Sequence, residues 1–224
     1  MTIESESSLS LYRLLTWLSP AFPVGGFAYS GGLERAIHDG LVKDASGLAD
    51  WLDDLMHRGP IWNDCVLLAQ AHRAFDEAAG LAEVAELAEA LAGTAERHFE
   101  TMALGAAFIA AATAWPHPVL ASLGGRAAYP VAIGAISAAH HVGLEAALVA
   151  FLGAAGSQMV SVAIRSGILG QKQGVALIAG LEAAIVNQAK RAAASSVDAL
   201  GSGTVHAEIE SMKHEVQQSR LFRS

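Results

Sequence analysis

Apolar residues recur every three or four positions through most of this chain, and the strict alternation that marks a half-buried strand is almost absent. Such spacing lays one apolar stripe along a helix and leaves little material for a sheet, so the chain is read as all-α. Proline and glycine divide the pattern. Leu11, Leu14, Leu15 and Leu18 form a stripe that stops at Ser19-Pro20, since proline removes a backbone donor and restricts the residue before it. A loop over residues 20 to 32 follows, and helical spacing resumes at Leu33, Ile37 and Leu41, with Ser30 or Gly31 as the cap and Glu34 in the first turn. The next helix runs from about Ser46 to Gly59-Pro60, and Asp64 is expected to cap another through Cys65 and His72.

Further along, an Ala-rich stretch from Leu81 to Trp115 breaks near Gly93-Thr94, and Pro130 opens a helix ending near Gly143. A long apolar helix over residues 144 to 164, a turn over 165 to 170 and a helix from Gln171 to Ala194 come next. Residues 195 to 204 read as a Gly/Ser-rich tether. After it, Ile209, Met212 and Val216 recur at helical spacing opposite Glu208, Lys213, Glu215 and Gln217. The reading is one bundle of about ten helices over residues 1 to 200, with residues 201 to 224 a flexible, partner-binding tail. No internal repeat is visible.

Charge and cysteine content narrow the function. A net charge of -8 argues against a nucleic-acid partner, which needs Lys and Arg to neutralise phosphates. Only 16% of residues are charged, against about a quarter in ordinary soluble proteins, so part of the surface is expected to be covered by other chains. Cys65 is the single cysteine, which excludes an intrachain disulfide and suits a reducing cytoplasm. The acidic start, Met1-Thr2-Ile3-Glu4-Ser5-Glu6, is unlike a signal peptide. Residues 146 to 164 are uncharged, yet they are Ala, Gly and Ser with Gln158 among them, so they read as a close-packed core helix and not a membrane span.

The familiar catalytic patterns fail in turn. Gly170-Gln171-Lys172-Gln173-Gly174 lacks P-loop spacing, and His214-Glu215 begins like a zincin helix but has Gln218 where the second ligand would fall. No nucleophile elbow occurs. Asp53, Asp54 and His57 share adjacent turns and leave one alternative open, a metal-dependent helical enzyme, although a stable site needs three or four converging ligands. Adjacent His140 and His141 point about 100 degrees apart, and Cys65 and His72 receive no role. No catalytic residue, metal or cofactor is assigned.

Two segments ask for a different explanation. The last residues set Leu221-Phe222 between Arg220 and Arg223 near a terminus, which is either an inert end or a segment that a partner holds. The loop from Pro20 to Gly32 combines fixed proline φ angles with permissive glycines, holding Phe22, Phe27 and Tyr29 either as a core plug or as a docking face. Arg165, at the end of the apolar helix, either complements its dipole or serves an interface.

The run from Leu14 through Glu34, with Ser19-Pro20-Ala21-Phe22-Pro23-Val24-Gly25-Gly26-Phe27-Ala28-Tyr29-Ser30-Gly31-Gly32 at its centre, closely resembles the N-terminal signature of the urease accessory protein UreF family. The resemblance recurs at Pro130 to Gly134, at Ser161 to Gln171, and at Ser211-Met212-Lys213-His214-Glu215 leading to Ser219-Arg220-Leu221-Phe222-Arg223-Ser224. It implies a non-catalytic scaffold, homodimeric and cytoplasmic, that joins the UreD/UreH accessory protein to the GTPase UreG while nickel is delivered to apo-urease, with modulation of the GTPase as a further role. The matched positions it offers for partner binding are Phe22, Pro23, Gly25, Gly26, Phe27, Tyr29, Ser30 and Glu34, then Arg165 and Gln171, then Met212, His214, Glu215, Ser219, Arg220, Leu221, Phe222 and Arg223.

Overall fold

A computed structural model describes residues 3 to 224. Twelve α-helices follow one another among them: α1 (Ile3–Trp17), α2 (Leu33–His38), α3 (Ala45–Arg58), α4 (Pro60–Arg73), α5 (Ala78–Ala90), α6 (Ala95–Ala112), α7 (Val119–Ser122), α8 (Tyr129–Ala139), α9 (Leu144–Arg165), α10 (Gln171–Gly180), α11 (Glu182–Ala193) and α12 (Val205–His214). No strand occurs among the described residues, and the helices form one all-α domain.

The breaks carry their physical causes. Asp44 caps α3 by accepting from the amides of Ser46 and Gly47, and Thr94 caps α6 through the amide of Arg97. Pro60 stands in the first turn of α4, where its missing N–H costs nothing. Asp64 is therefore not a cap: it lies a turn inside α4, paired with Arg97 of α6. The helix expected from Gln171 to Ala194 is two, because α10 ends at Gly180 and the chain restarts after Leu181.

Helix α8 is buried all round, from Pro130 to Ala139, and fits against α4 and α6 through two glycines. A methyl on Gly134 would run into the Leu68 carbonyl of α4, and one on Gly105 of α6 into the Ala127 carbonyl just before α8. Around this contact lie Trp17, Phe108, Leu68, Ile133, Ile136, Leu148 and Leu152, all closed off from solvent. Helix α9 packs against α1, α2, α3, α4, α8, α10 and α11. It is the one helix among the described residues long and apolar enough to cross a membrane, and here it forms the centre of a helical core.

The expected tether is tied down. Gly203 donates its amide to the Arg58 carbonyl at 2.7 Å, Gly201 to Asn63 Oδ1 at 3.0 Å, and the Trp62 indole donates to the Ala199 carbonyl at 2.8 Å. Arg191 stacks over Trp62 at 4.0 Å. With its backbone donors bonded to α3 and α4, this segment runs along the body as a fixed connection.

Candidate functional site

Three stretches far apart in sequence meet at one end of the bundle: the Pro/Gly loop over residues 20 to 32, the C-terminal end of α9, and the last ten residues. In the loop, Phe22 is buried against Phe108 and Trp115, with ring centroids 5.5 and 6.3 Å away, and Tyr29 is buried near Phe99. Positive φ angles at Gly25, Gly31 and Gly32 turn the chain between them. Gln158, the polar residue inside the apolar stretch of α9, donates from Nε2 to the carbonyls of Gly26 and Tyr29, both at 2.9 Å. Phe27 remains 65% exposed. The loop is thus a plug through Phe22 and Tyr29 and an open face at Phe27, with Pro23 exposed beside it and Gly26 half-buried.

The C-terminal segment departs from the expected free tail. Its backbone is bonded residue by residue: Leu221 and Phe222 donate their amides to Glu34 at 2.7 and 3.1 Å, Arg223 donates to the Ala28 carbonyl at 2.7 Å, and Ser30 donates to the Ser224 carbonyl at 2.7 Å. The Ser224 hydroxyl donates to Glu100 at 2.9 Å. Phe222 is only 4% exposed, its ring covered by the Arg165 guanidinium 4.2 Å from the centroid, while Arg165 also donates to the Phe27 carbonyl. Phe222 therefore fills a cleft of its own chain. The sequence lacked a signal for this because the groove is made of parts far upstream, at Phe27, Glu34 and Arg165. Leu221 points outward, 65% exposed, next to exposed Ser219, Arg220 and Arg223.

Helix α12 is mounted with its polar side inward. Ala207, Glu210, Ser211 and His214 are buried, whereas Ile209, Met212 and Val216, the expected apolar stripe, face solvent. Ser211 shares a 2.8 Å hydrogen bond with Thr94, and buried Glu210 accepts from Lys213 at 2.8 Å. Exposed Glu215 accepts from the amide of Ala95 at 3.0 Å, holding the end of α12 to the first turn of α6. His214 is fully buried between two carboxylates, with Nδ1 2.8 Å from Glu96 of α6 and Nε2 2.9 Å from Glu34 of α2. Arg220 completes the cluster by donating to the second Glu96 oxygen at 2.8 Å.

Beneath this assembly lies a cavity of about 220 Å³ lined in part by Asp64, Arg97, Glu100, Pro130, Met159 and Ser211. Burial pushes the Asp64 and Glu100 carboxyls upward, and Arg97 pulls both back. Gln171 stands apart, lining a shallow groove with Arg165, Val175 and Ile178 between α9 and α10.

The Asp53, Asp54 and His57 face does not converge. Asp53 bonds to His57 at 3.1 Å while Asp54 turns to Arg58. Among the described residues, no three His, Cys, Asp or Glu side chains group to hold a metal ion. Burial raises the Cys65 thiol well above its ordinary value, the setting of a packing residue and not of a nucleophile. At the three-segment site, the polar groups are spent on holding backbone and on one another.

Glu96, Glu100 and Gln158 were not visible as site residues in the sequence. Glu96 stands in the first turn of α6, and only the return of α12 and the segment after it gives it partners.

The UreF family model matches residues 42–182. The chain is 61% identical over 215 residues to the urease accessory protein UreF of Rhizobium etli (strain CIAT 652), covering 96% of each chain. It is 57% identical over 221 residues to that of Sinorhizobium medicae (strain WSM419), covering 99% of each. With that of Agrobacterium fabrum (strain C58 / ATCC 33970) it shares 56% over 223 residues, covering 99% of this chain and all of the relative.

Proposed function

The chain belongs to the UreF family of urease accessory proteins, and from that premise we propose that it is a non-catalytic adaptor bridging the UreD/UreH partner and the GTPase UreG for nickel insertion into apo-urease. It acts as a cytoplasmic homodimer, and its contact with the GTPase modulates that enzyme. The observation that carries this reading is the junction of the loop, the end of α9 and the C-terminal segment, where Arg165 touches both Phe27 and Phe222. A surface assembled from three separated stretches presents exposed Phe27, Leu221 and Met212 around a buried polar frame, as an interface with a polar support does.

In this reading UreD/UreH engages the C-terminal segment, with exposed Leu221 as the apolar anchor, buried Phe222 seating the segment in the cleft of its own chain, and Arg220 and Arg223 paired with acidic rim groups. Pro23, Gly25 and Gly26 shape the neighbouring loop face, and Met212 extends it along α12. Arg165 and Gln171 serve self-association or recruitment of the GTPase.

Deleting residues 219 to 224 and measuring capture of the UreD/UreH partner tests the adaptor reading: capture is expected to be lost, and undiminished capture would sink it. For the second face, Arg165→Ala is expected to lower the mass seen by light scattering or the amount of UreG captured. If both stay unchanged, Arg165 has no interface role.

A further inference from the structure

We infer that α10 is the surface on which two copies of this chain pair. The two α10 helices lie antiparallel across a two-fold axis near Leu177, so that Lys172 of each faces Glu182 of the partner subunit. This rests on the homodimer reading above and gives it a place and a register. Helix α10 meets solvent with apolar side chains: Val175 is 67% exposed and Ile178 39%, Ala179 is exposed beside them, and Val186 continues the stripe on α11. These positions recur at i, i+3, i+4 and i+11, along one side of a helix.

The opposite side of α10 is firmly seated. Gly174 lies so close under α9 that a methyl there would come within 2.8 Å of Ile164 and 2.9 Å of Val160. The exposed stripe is therefore presented by a fixed helix. Beside it, between α9 and α10, runs a groove of about 260 Å³ walled by Val160, Ser161, Ile164 and Ile178. From residue 146 to residue 181 the only charges are Arg165 and Lys172. An exposed apolar patch depleted of charge has the make-up of an interface core.

What fits this face is a second copy, because the stripe is complementary to itself. A two-fold contact requires that each residue meet its counterpart reciprocally. Antiparallel pairing about Leu177 sets Val175 against Ala179 and Ile178 against Ala176, a larger side chain against a small one each time. It also sets Lys172, just inside the start of α10, against Glu182, just past its end. Both are exposed, and neither forms an ion pair among the described residues. Parallel pairing would oppose lysine to lysine and glutamate to glutamate. A helix of ten residues is only about 15 Å long, so the groove wall on α9 and Val186 on α11 widen the contact toward the roughly 800 Å² per partner of a stable pair.

Sedimentation equilibrium of the full chain over a concentration series tests this. Lys172→Glu and Glu182→Lys each oppose like charges at two symmetry-related points, and each is expected to weaken dimerisation about tenfold. The double variant K172E/E182K is expected to return to within about threefold of wild type. An equimolar mixture of the two single variants is expected to pair as well as the double variant, since every contact then joins opposite charges. Val175→Glu, which places an unpaired charge in the contact, is expected to weaken pairing about a hundredfold. These side chains are exposed in the free chain, so helical circular dichroism is expected to be unchanged; Val175→Ser, expected to weaken pairing about tenfold, replaces Val175→Glu if that variant loses it. A wild-type dimer that none of these substitutions weakens would overturn the pairing through α10 and leave the homodimer reading standing. Weakening without rescue in the double variant and the mixture would overturn the antiparallel register, and a monomeric wild type would overturn both readings. Capture of UreD/UreH is measured separately, so the adaptor reading does not depend on the outcome.

Discussion

Gly32 and Ser211 meet backbone to backbone: a Cβ on Gly32 would lie 2.9 Å from the Ser211 amide nitrogen, and Gly32 holds a φ of +81°. Both facts forbid a side chain there. Gly32→Ala is expected to cost about 2–4 kcal/mol, the sum of left-handed strain and overpacking. Urea unfolding measures that cost, and faster exchange confined to α12 and the segment after it would locate it. A loss under about 0.5 kcal/mol, as at ordinary surface positions, would contradict the contact.

Arg165 both stacks on Phe222 and donates to the Phe27 carbonyl, a pair of tasks suited to a planar guanidinium. Arg165→Lys is therefore expected to fail as a substitute, loosening the Phe222 amide by about 0.5–1 kcal/mol in exchange measurements, the scale of an exposed cation–π contact. Wild-type protection in the lysine variant would show that charge alone is enough.

Burial raises the Glu100 carboxyl, against the opposing pull of Arg97 and of the Ser224 hydroxyl. A group whose folded value is raised contributes stability fully below its unfolded value, about 4.3, and loses that contribution as pH rises through the raised one. Glu100→Gln is expected to make the chain more stable at neutral pH and to flatten its stability profile above that range. Parallel wild-type and variant profiles in urea titrations at several pH values would refute this.

His141 is the one non-glycine residue with positive φ among those described, at +59°, where the chain leaves α8. Left-handed strain of about 1–2 kcal/mol outweighs the roughly 0.5–1 kcal/mol of extra unfolded-state entropy that glycine brings. His141→Gly is thus expected to raise stability by about 0.5–1 kcal/mol, with calorimetry as the check. A lower melting temperature would mean that the exposed ring contributes more than its strain costs.

Helix existence was legible in the sequence because period and punctuation agree: Ser19-Pro20 ends α1, Gly93-Thr94 separates α5 from α6, and Pro130 opens α8. At Asp64 local chemistry misled because two signals competed. Pro60 starts α4 four residues before Asp64, whose carboxylate is claimed by Arg97 from another helix. The site was half legible. Its loop, Arg165 and the terminal residues stood out as motifs, but their meeting is a long-range event with no local trace. The α12 stripe inverted expectation for the same reason: Ile209, Met212 and Val216 signal burial by pattern, yet His214 meets Glu34 and Glu96, and Glu210 meets Arg35, only once the chain has folded.

The seating of Phe222 also sets an order of events during synthesis. Its groove is built from Phe27, Glu34 and Arg165, all of which leave the ribosome well before the residue that fills it. Residues 221 to 224 are synthesised after every part of the groove that receives them. A chain interrupted after α11 would carry the groove without the ring that fills it, leaving the Arg165 guanidinium uncovered on that side.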